Sequence, residues 1–357
     1  MPYLAIGLLA AAIVSFLLTP LVRRIAIRYD AIDQPDARRV NKRPVPRGGG
    51  VAVAISFIAV AAVLLAVNTT VKFAEVPTNV QLIDVIGLLF GGALAAAFGV
   101  LDDAWDLRAR WQFGGQIGLA LFAVATGYVV DFVTNPLGTG RDTLLRLPLL
   151  VADGFSVLWI AGMINSINFI DGLDGLSTGI GLIAAITLGL ISLTDNVSQP
   201  YIAVLCFVLA GSLLGFLRWN FHPATIFAGT SGVMFLGYTL ALLSILGTAK
   251  VPVATLVLGV PIIDAFWIIV RRVAQRRSPF SPDRGHLHHR LLDVGLSHRQ
   301  TVLLIYGICL GLAILAIFLP EGTPQVYAFV GVFVAIGSVL FILARGGFEA
   351  DERDPSS

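Results

Sequence analysis

Charge is what this sequence has least of. Of its 357 residues only 13% are Asp, Glu, Lys or Arg, about half the share of an ordinary soluble domain. Cysteine is nearly absent, with two in the whole chain, which excludes both a disulfide framework and a cysteine-built metal cage. Cys206 and Cys309 each fall inside an apolar run and read as buried, reduced, space-filling thiols. No dinucleotide glycine fingerprint, no internal repeat and no low-complexity stretch occurs apart from the short acidic tail EADERDPSS. Nothing in the chain calls for a nucleic-acid partner.

What is present is apolar sequence. Hydrophobic residues make up 57% of the chain and the mean hydropathy is +0.86. Runs of roughly 17 to 25 apolar residues, each long enough to cross a bilayer, recur from end to end. A soluble protein cannot bury so many all-round apolar helices. The expectation is an all-α polytopic integral membrane protein with about eleven transmembrane helices, over 3–22, 50–67, 83–101, 113–130, 148–165, 176–193, 201–217, 231–247, 251–270, 301–319 and 325–344. The first is read as an uncleaved span, since no basic flank precedes it and no small-residue cleavage site follows. Residues 1–344 then form one membrane domain, and 345–357 a short charged, disordered cytoplasmic tail. With the N-terminus outside, twenty of the 24 basic residues fall on inner segments and only Lys72, Arg141, Arg146 and Lys250 on outer loops. That asymmetry places the C-terminus in the cytoplasm. Asn68 and Asn196 sit in glycosylation-type triplets, a pattern too common by chance to carry weight.

The few polar residues gather at the expected cytoplasmic helix ends, which describes an active site on that face. Asp102, Asp103 and Asp106 close the third span, and NSINFIDGLDGLSTG joins the fifth to the sixth. RWNFHPATIFAGTSG follows the seventh, and SPFSPDRGHLHHRLLDVGLSHRQ fills the last long inner loop. A transporter would concentrate ionisable groups nearer the midplane. Asn165, Asn168, Asp171 and Asp174 recur every three residues. On a helix each such step slips back by about 60°, so all four cannot share a face. The fifth span is therefore expected to end here, with a new helix beginning near Leu176 and the break lining a wet cavity.

Adjacent carboxylates such as Asp102 and Asp103 require a cation, and carboxylate and amide oxygens suit Mg²⁺, with Mn²⁺ as the second choice. Basic groups that could neutralise phosphates follow at His286, His288, His289 and Arg290, with His286 and Arg290 four residues apart on one helical face. The residues alone thus point to a Mg²⁺-dependent enzyme acting on a phosphorylated substrate at the inner membrane surface. Blander readings stand beside this one. The acids at 102–106 also suit a solvated helix end, Asp171 and Asp174 a helix cap, and the histidines a surface loop. The basic loop over 22–50, including Arg47, suits orientation alone. Asp264, after Pro261, is spaced to pair with Arg271.

With these motifs assembled, the chain resembles the polyprenyl-phosphate N-acetylhexosamine-1-phosphate transferases, the WecA- and TagO-like branch of glycosyltransferase family 4. The likeness rests on DQPDARRVNKRPVPRGGG, DDAWD, NSINFIDGLDGLSTG, PIIDAFWIIVRR and the histidine loop, in that order. Both H-x-H-H-R and D-D-x-x-D fit this branch better than the related muramoyl-pentapeptide transferase. The resemblance implies transfer of an N-acetylhexosamine-1-phosphate, foremost GlcNAc-1-phosphate, from a UDP-sugar to undecaprenyl phosphate in a bacterial cytoplasmic membrane. UMP is released, and a lipopolysaccharide, teichoic-acid or other envelope glycan begins. It implies Asp102, Asp103, Asp171 and Asp174 as catalytic. Asn165, Asn168, Asp106, Asp264, Arg47, His286, His288, His289 and Arg290 would bind substrate, and Asp102, Asp103, Asn168, Asp171 and position 230 would surround the metal. A homodimer is plausible by analogy.

One departure stands out. The family commonly reads F-x-G-D-x-G-S after the seventh span, whereas this chain reads FAGTSGV. Thr230 thus replaces the metal-binding carboxylate and Val233 a hydroxyl residue; a smaller departure is Asn41, where histidine is frequent. Two other functions compete: a catalytically weakened or silent relative that binds lipid phosphate or sugar nucleotide as a scaffold, and a transporter of a phosphorylated lipid or solute.

Overall fold

The computed structural model describes residues 1–35, 43–77, 80–135, 144–195, 197–246, 250–278, 285–320 and 323–351. Asn41, Asn196 and the end of the tail lie outside the described residues. Apolar runs become helices because a membrane offers no partner for backbone N–H and C=O groups, and only a helix satisfies them within one segment. The order is α1 (Pro2–Arg28), α2 (Gly50–Val71), α3 (Leu82–Trp105), α4 (Ala109–Ala125), α5 (Leu149–Ile170), α6 (Leu176–Ser192), α7 (Pro200–Asn220), α8 (Gly229–Ile245), α9 (Lys250–Val257), α10 (Gly259–Ala274), α11 (Leu287–Asp293), α12 (His298–Phe318) and α13 (Thr323–Asp351). Two antiparallel ribbons sit in the connections: β1 (Ile32–Asp33) with β2 (Val45–Pro46), and β3 (Phe132–Thr134) with β4 (Leu144–Arg146).

Every expected span falls on a helix, but six helices are long and apolar enough to cross a membrane, or seven if one bent pair counts as a single span. That pair occupies the ninth expected span, 251–270: α9 and α10 meet at a 77° bend around Leu258, three residues before Pro261. Helices α6, α8 and the apolar part of α13 are shorter. The fourth helix ends at Ala125 rather than 130, because Gly127 turns the chain at φ +99°. At the other terminus α13 stays helical through Asp351, beyond the 344 limit expected for the last span.

Helices α7 and α8 form the centre, and α8 is buried on all sides from Ser231 to Ser244, the mark of a helix apolar all round. Close approach depends on small residues, as is usual between membrane helices. A β-carbon at Gly99 of α3 would lie 2.3 Å from the Cα of Ser231, so α3 can press onto the start of α8 only with glycine there. Many buried hydroxyls donate back into their own helices, as when Thr19 donates to the Ser15 carbonyl and Ser212 to the Val208 carbonyl. Asn68 is a buried cap: its side chain donates to the Ala74 carbonyl and accepts the Ala74 N–H. Cys206 and Cys309 are buried and form no disulfide.

The ends of α1, α3, α5, α7 and α10 and the starts of α2, α4, α6, α8 and α12 lie at one end of the bundle, as their alternation along the chain requires. The β1–β2 ribbon closes that end. Phe227 N–H donates to the Pro46 carbonyl, and Gly49 N–H returns to the Phe227 carbonyl, so the first polar loop is hydrogen-bonded to the segment just before α8.

Candidate active site

A cavity of about 290 Å³ opens at this end, close to the lower size of a small-molecule site. Of the residues singled out from the sequence, Arg47, Asp103, Asn168, Asp171, Asp174, Thr230 and His289 line it. Five segments distant in the chain thus contribute to the lining, and three of the groups are carboxylates.

Asp103 is fixed by the start of α8. Its Oδ1 accepts the Thr230 N–H at 2.8 Å and its Oδ2 the Ser231 N–H at 3.0 Å. Amides at a helix N-terminus have no partner within their own helix, and their dipoles favour an anion. Asp102, one residue back, turns elsewhere. Its Oδ1 accepts from the Leu107 N–H at 3.1 Å and Gln112 Nε2 at 2.7 Å, while its Oδ2 accepts the Thr230 hydroxyl at 2.5 Å. Asp102 is not among the cavity's lining residues; it stands behind Thr230. Thr230 therefore lies between the two acids, its amide on one and its hydroxyl on the other.

Helix α5 ends at Ile170, so Asn165 and Asn168 both lie on it. The 60° slip between them sends Asn165 to Gln116 of α4 and leaves Asn168 on the cavity. Asp171 accepts from the Ser177 hydroxyl. Burial raises its pKa to about 7, and the Asp103 and Asp174 carboxylates push the same way against the lowering effect of Ser177. A carboxyl so placed gains most from a nearby cation. Three carboxylates with the Asn168 amide form a hard-oxygen donor set of the kind Mg²⁺ takes. Asp174 accepts from His222 Nδ1 at 2.7 Å and from the Ala224 N–H at 3.0 Å.

Arg47 places a guanidinium at the cavity. Its Nη2 pairs with the exposed Asp106 at 2.9 Å, and its Nε is buried with no hydrogen-bond partner among the described residues. Asp106 is thus a clamp on Arg47 and does not line the cavity.

The histidine loop divides its roles. Of His286, His288, His289 and Arg290, His289 alone lines the cavity. Asp264 does not take Arg271 as its partner by spacing; its Oδ2 accepts from His286 Nδ1 at 2.8 Å and its Oδ1 from the Leu287 N–H at 2.8 Å. This pins His286 as the N-cap of the short helix α11. His288 is buried with neither ring nitrogen hydrogen-bonded. Burial holds its pKa well below the usual histidine range, with His289, His286 and His298 adding to the effect. It is neutral, and it packs behind the loop: a β-carbon at Gly172 would lie 2.2 Å from His288 Nε2. Arg290 Nε donates to the Gly285 carbonyl at 2.8 Å.

Asp33, Asn220 and His298 also line the cavity and carried no role in the sequence reading. Asn220 accepts from the Thr178 hydroxyl at 2.7 Å and donates to the Ile226 carbonyl at 3.1 Å, tying α6 to the segment before α8. Asn220 and His298 belong to the polar stretches already noted; Asp33 gave no signal beyond its place in the basic first loop.

Residues 85–248 match the family described as glycosyl transferase family 4. The chain is 38% identical to the Bacillus subtilis "Probable undecaprenyl-phosphate N-acetylglucosaminyl 1-phosphate transferase", over 93% of this chain and 90% of that one. It is 37% identical to the Mycolicibacterium smegmatis "Decaprenyl-phosphate N-acetylglucosaminephosphotransferase", over 96% and 89% of the two chains. It is 29% identical to the Thermotoga maritima "Undecaprenyl-phosphate alpha-N-acetylglucosaminyl 1-phosphate transferase", over 94% and 97%.

Proposed function

The chain belongs to glycosyltransferase family 4, in its polyprenyl-phosphate N-acetylhexosamine-1-phosphate transferase branch, and from that premise we propose its reaction. It transfers GlcNAc-1-phosphate from UDP-GlcNAc to a membrane polyprenyl phosphate, undecaprenyl phosphate foremost, and begins a cell-envelope glycan. An oxygen of the lipid phosphate attacks the sugar-linked phosphorus of the donor. The bond from that phosphorus to the bridging oxygen breaks, and UMP leaves with the electron pair.

The observation that carries this reading is the cavity itself, where Asp103, Asn168, Asp171 and Asp174 face Arg47 and His289 at one end of an apolar bundle. Such chemistry asks little covalent work of the protein and depends on positioning and charge. Arg47 and His289 would receive diphosphate oxygens, and Asp103, rigid on the α8 amides, would orient the lipid phosphate. Asn168, Asp171, Asp174 and Asp103 are the residues that would hold Mg²⁺, which supplies neutralisation of the diphosphate charge. On this reading the eleven helical segments cross a bacterial cytoplasmic membrane with the N-terminus outside and the site on the cytoplasmic face, following the basic-residue asymmetry. A homodimer is compatible with the exposed apolar faces.

A second reading rests on Thr230. A neutral hydroxyl there, already donated to Asp102, suits a relative that binds lipid phosphate or sugar nucleotide without turnover. The deciding experiment is UMP release by the purified protein in detergent with undecaprenyl phosphate and UDP-GlcNAc, with Mg²⁺ varied against a chelator. Release that needs both lipid and metal supports the transferase. Silence across a panel of UDP-N-acetylhexosamines, with nucleotide still bound, supports the scaffold.

A further inference from the structure

Beside the oxygen-rich floor of the cavity stands a cluster of different chemistry. Asp174 follows α5, His222 lies between α7 and α8, and His298 opens α12. One donor atom from each lies within 4.8 Å of those from the other two. The two imidazoles stack, with centroids 4.1 Å apart and planes at 22°. His222 Nδ1 lies 2.7 Å from Asp174 Oδ2. The Nε2 of His298 is buried with no hydrogen-bond partner among the described residues. A buried imidazole nitrogen without a partner is costly unless something occupies its lone pair.

We propose that Asp174, His222 and His298 form a transition-metal site of the Zn²⁺ or Co²⁺ class at the rim of the cavity, sharing Asp174 with the oxygen donor set suited to Mg²⁺ and differing from it by its two imidazoles. Two imidazoles and one carboxylate suit these borderline ions. Bonds of about 2.0–2.2 Å to one ion bring donor atoms to roughly 3–4 Å of each other, a change that side-chain rotation covers from the present spacing. Three protein ligands leave a coordination position open, the pattern of sites that bind water or substrate rather than closed structural ones. Because Asp174 and His298 also line the cavity, that position borders the space a phosphate oxygen would enter. The ion would join three segments that otherwise meet here through hydrogen bonds and ring contacts. This inference does not depend on the transferase reading, since metal binding is measured without substrate.

The test is a Co²⁺ titration of the purified full-length protein, stripped with chelator and followed by visible ligand-field absorption. The expected result is one Co²⁺ per chain with a band typical of four or five ligands. Zn²⁺ should displace it and millimolar Mg²⁺ should not. His222→Ala and His298→Gln should each weaken binding by more than the ~10–100-fold that loss of an outer-shell partner costs, while thermal unfolding shows each variant folded; if one does not fold, the other carries the test. A band absent in the wild-type protein, unchanged in a folded variant, or displaced by Mg²⁺ overturns the site.

Discussion

Replacing Thr230 by Asp restores the carboxylate that the family commonly has, and the structure gives the consequence a size. The threonine hydroxyl donates to Asp102 Oδ2 at 2.5 Å while its amide donates to Asp103. Losing that hydroxyl donation to a charged acceptor costs about 1.5–3 kcal/mol. A second carboxylate about 4 Å from Asp102 adds about 4 kcal/mol of repulsion at an effective dielectric near 20. Position 230 lies in the first turn of α8, where an added negative charge regains only about 0.3–1 kcal/mol. The ionised, metal-free variant is therefore about 5 kcal/mol less stable than the parent. A divalent ion that relieves half of this binds on the order of fiftyfold more tightly, since each 1.4 kcal/mol is tenfold. The assay is thermal unfolding in detergent across a Mg²⁺ titration, starting in chelator. Thr230→Asp should unfold below the parent without metal and close the gap as Mg²⁺ rises, with a midpoint at lower Mg²⁺. Coincident curves for the two proteins at every Mg²⁺ concentration would refute the reasoning and put residue 230 outside the metal's reach.

Three further expectations follow from the same site. Asp171, with a folded pKa raised to about 7, binds its proton more tightly folded than unfolded. Its share of stability is present at low pH and falls as pH rises from about 4 to about 7. In chelator, the stability difference between the parent and Asp171→Asn should show that slope and flatten outside the window; subtracting the variant removes the opposing contribution of His288, whose lowered pKa favours folding as pH rises. A slope equal in both proteins would count against it. Gly229→Ala must hold an alanine at φ +72° with a β-carbon 2.6 Å from Asp103 Oδ2. The left-handed backbone alone costs about 1–2 kcal/mol, so denaturant unfolding should show at least that loss, and a neutral result would mean the loop re-forms. His288→Phe should leave stability and the donor KM near parental values, because it replaces a buried ring that has no hydrogen bonds, whereas His289→Ala should raise the donor KM. The opposite pattern in steady-state kinetics would assign phosphate binding to His288.

The helices were legible because each apolar run must satisfy its own backbone, and the clusters were legible because so few charges compete with them. Orientation within a cluster was not. Asn165 and Asn168 share a motif, yet the helix continues through both and turns the first to Gln116 and the second to the cavity. In the histidine loop the α11 start at Leu287 separates a residue pinned by Asp264, one buried against Gly172 and one on the cavity. Asp264 finds its partner 22 residues away, a distance no helical spacing encodes. The bend at Leu258 is followed at once by Gly259 and then Pro261, breaker residues that carry no charge, so hydropathy ran through it as one span.

The acidic pair shows why the departure at 230 could be seen in the sequence while its meaning could not. Successive residues at the end of α3 point about 100° apart, so Asp103 faces the α8 amides and Asp102 faces the turn at Leu107. A carboxylate at 230 would have stood between them as a third acid; a threonine stands there as a donor. The hydroxyl occupies Asp102, which then belongs to the wall, and leaves Asp103 with Asp171 and Asp174 as the cavity's carboxylates near residue 230. Any cation bound there must draw on those groups, so the loss of an acid at 230 transfers the demand for charge to Asp171. It is Asp171, the group already pushed toward neutrality by burial and then by its acidic neighbours, whose titration should respond most to metal.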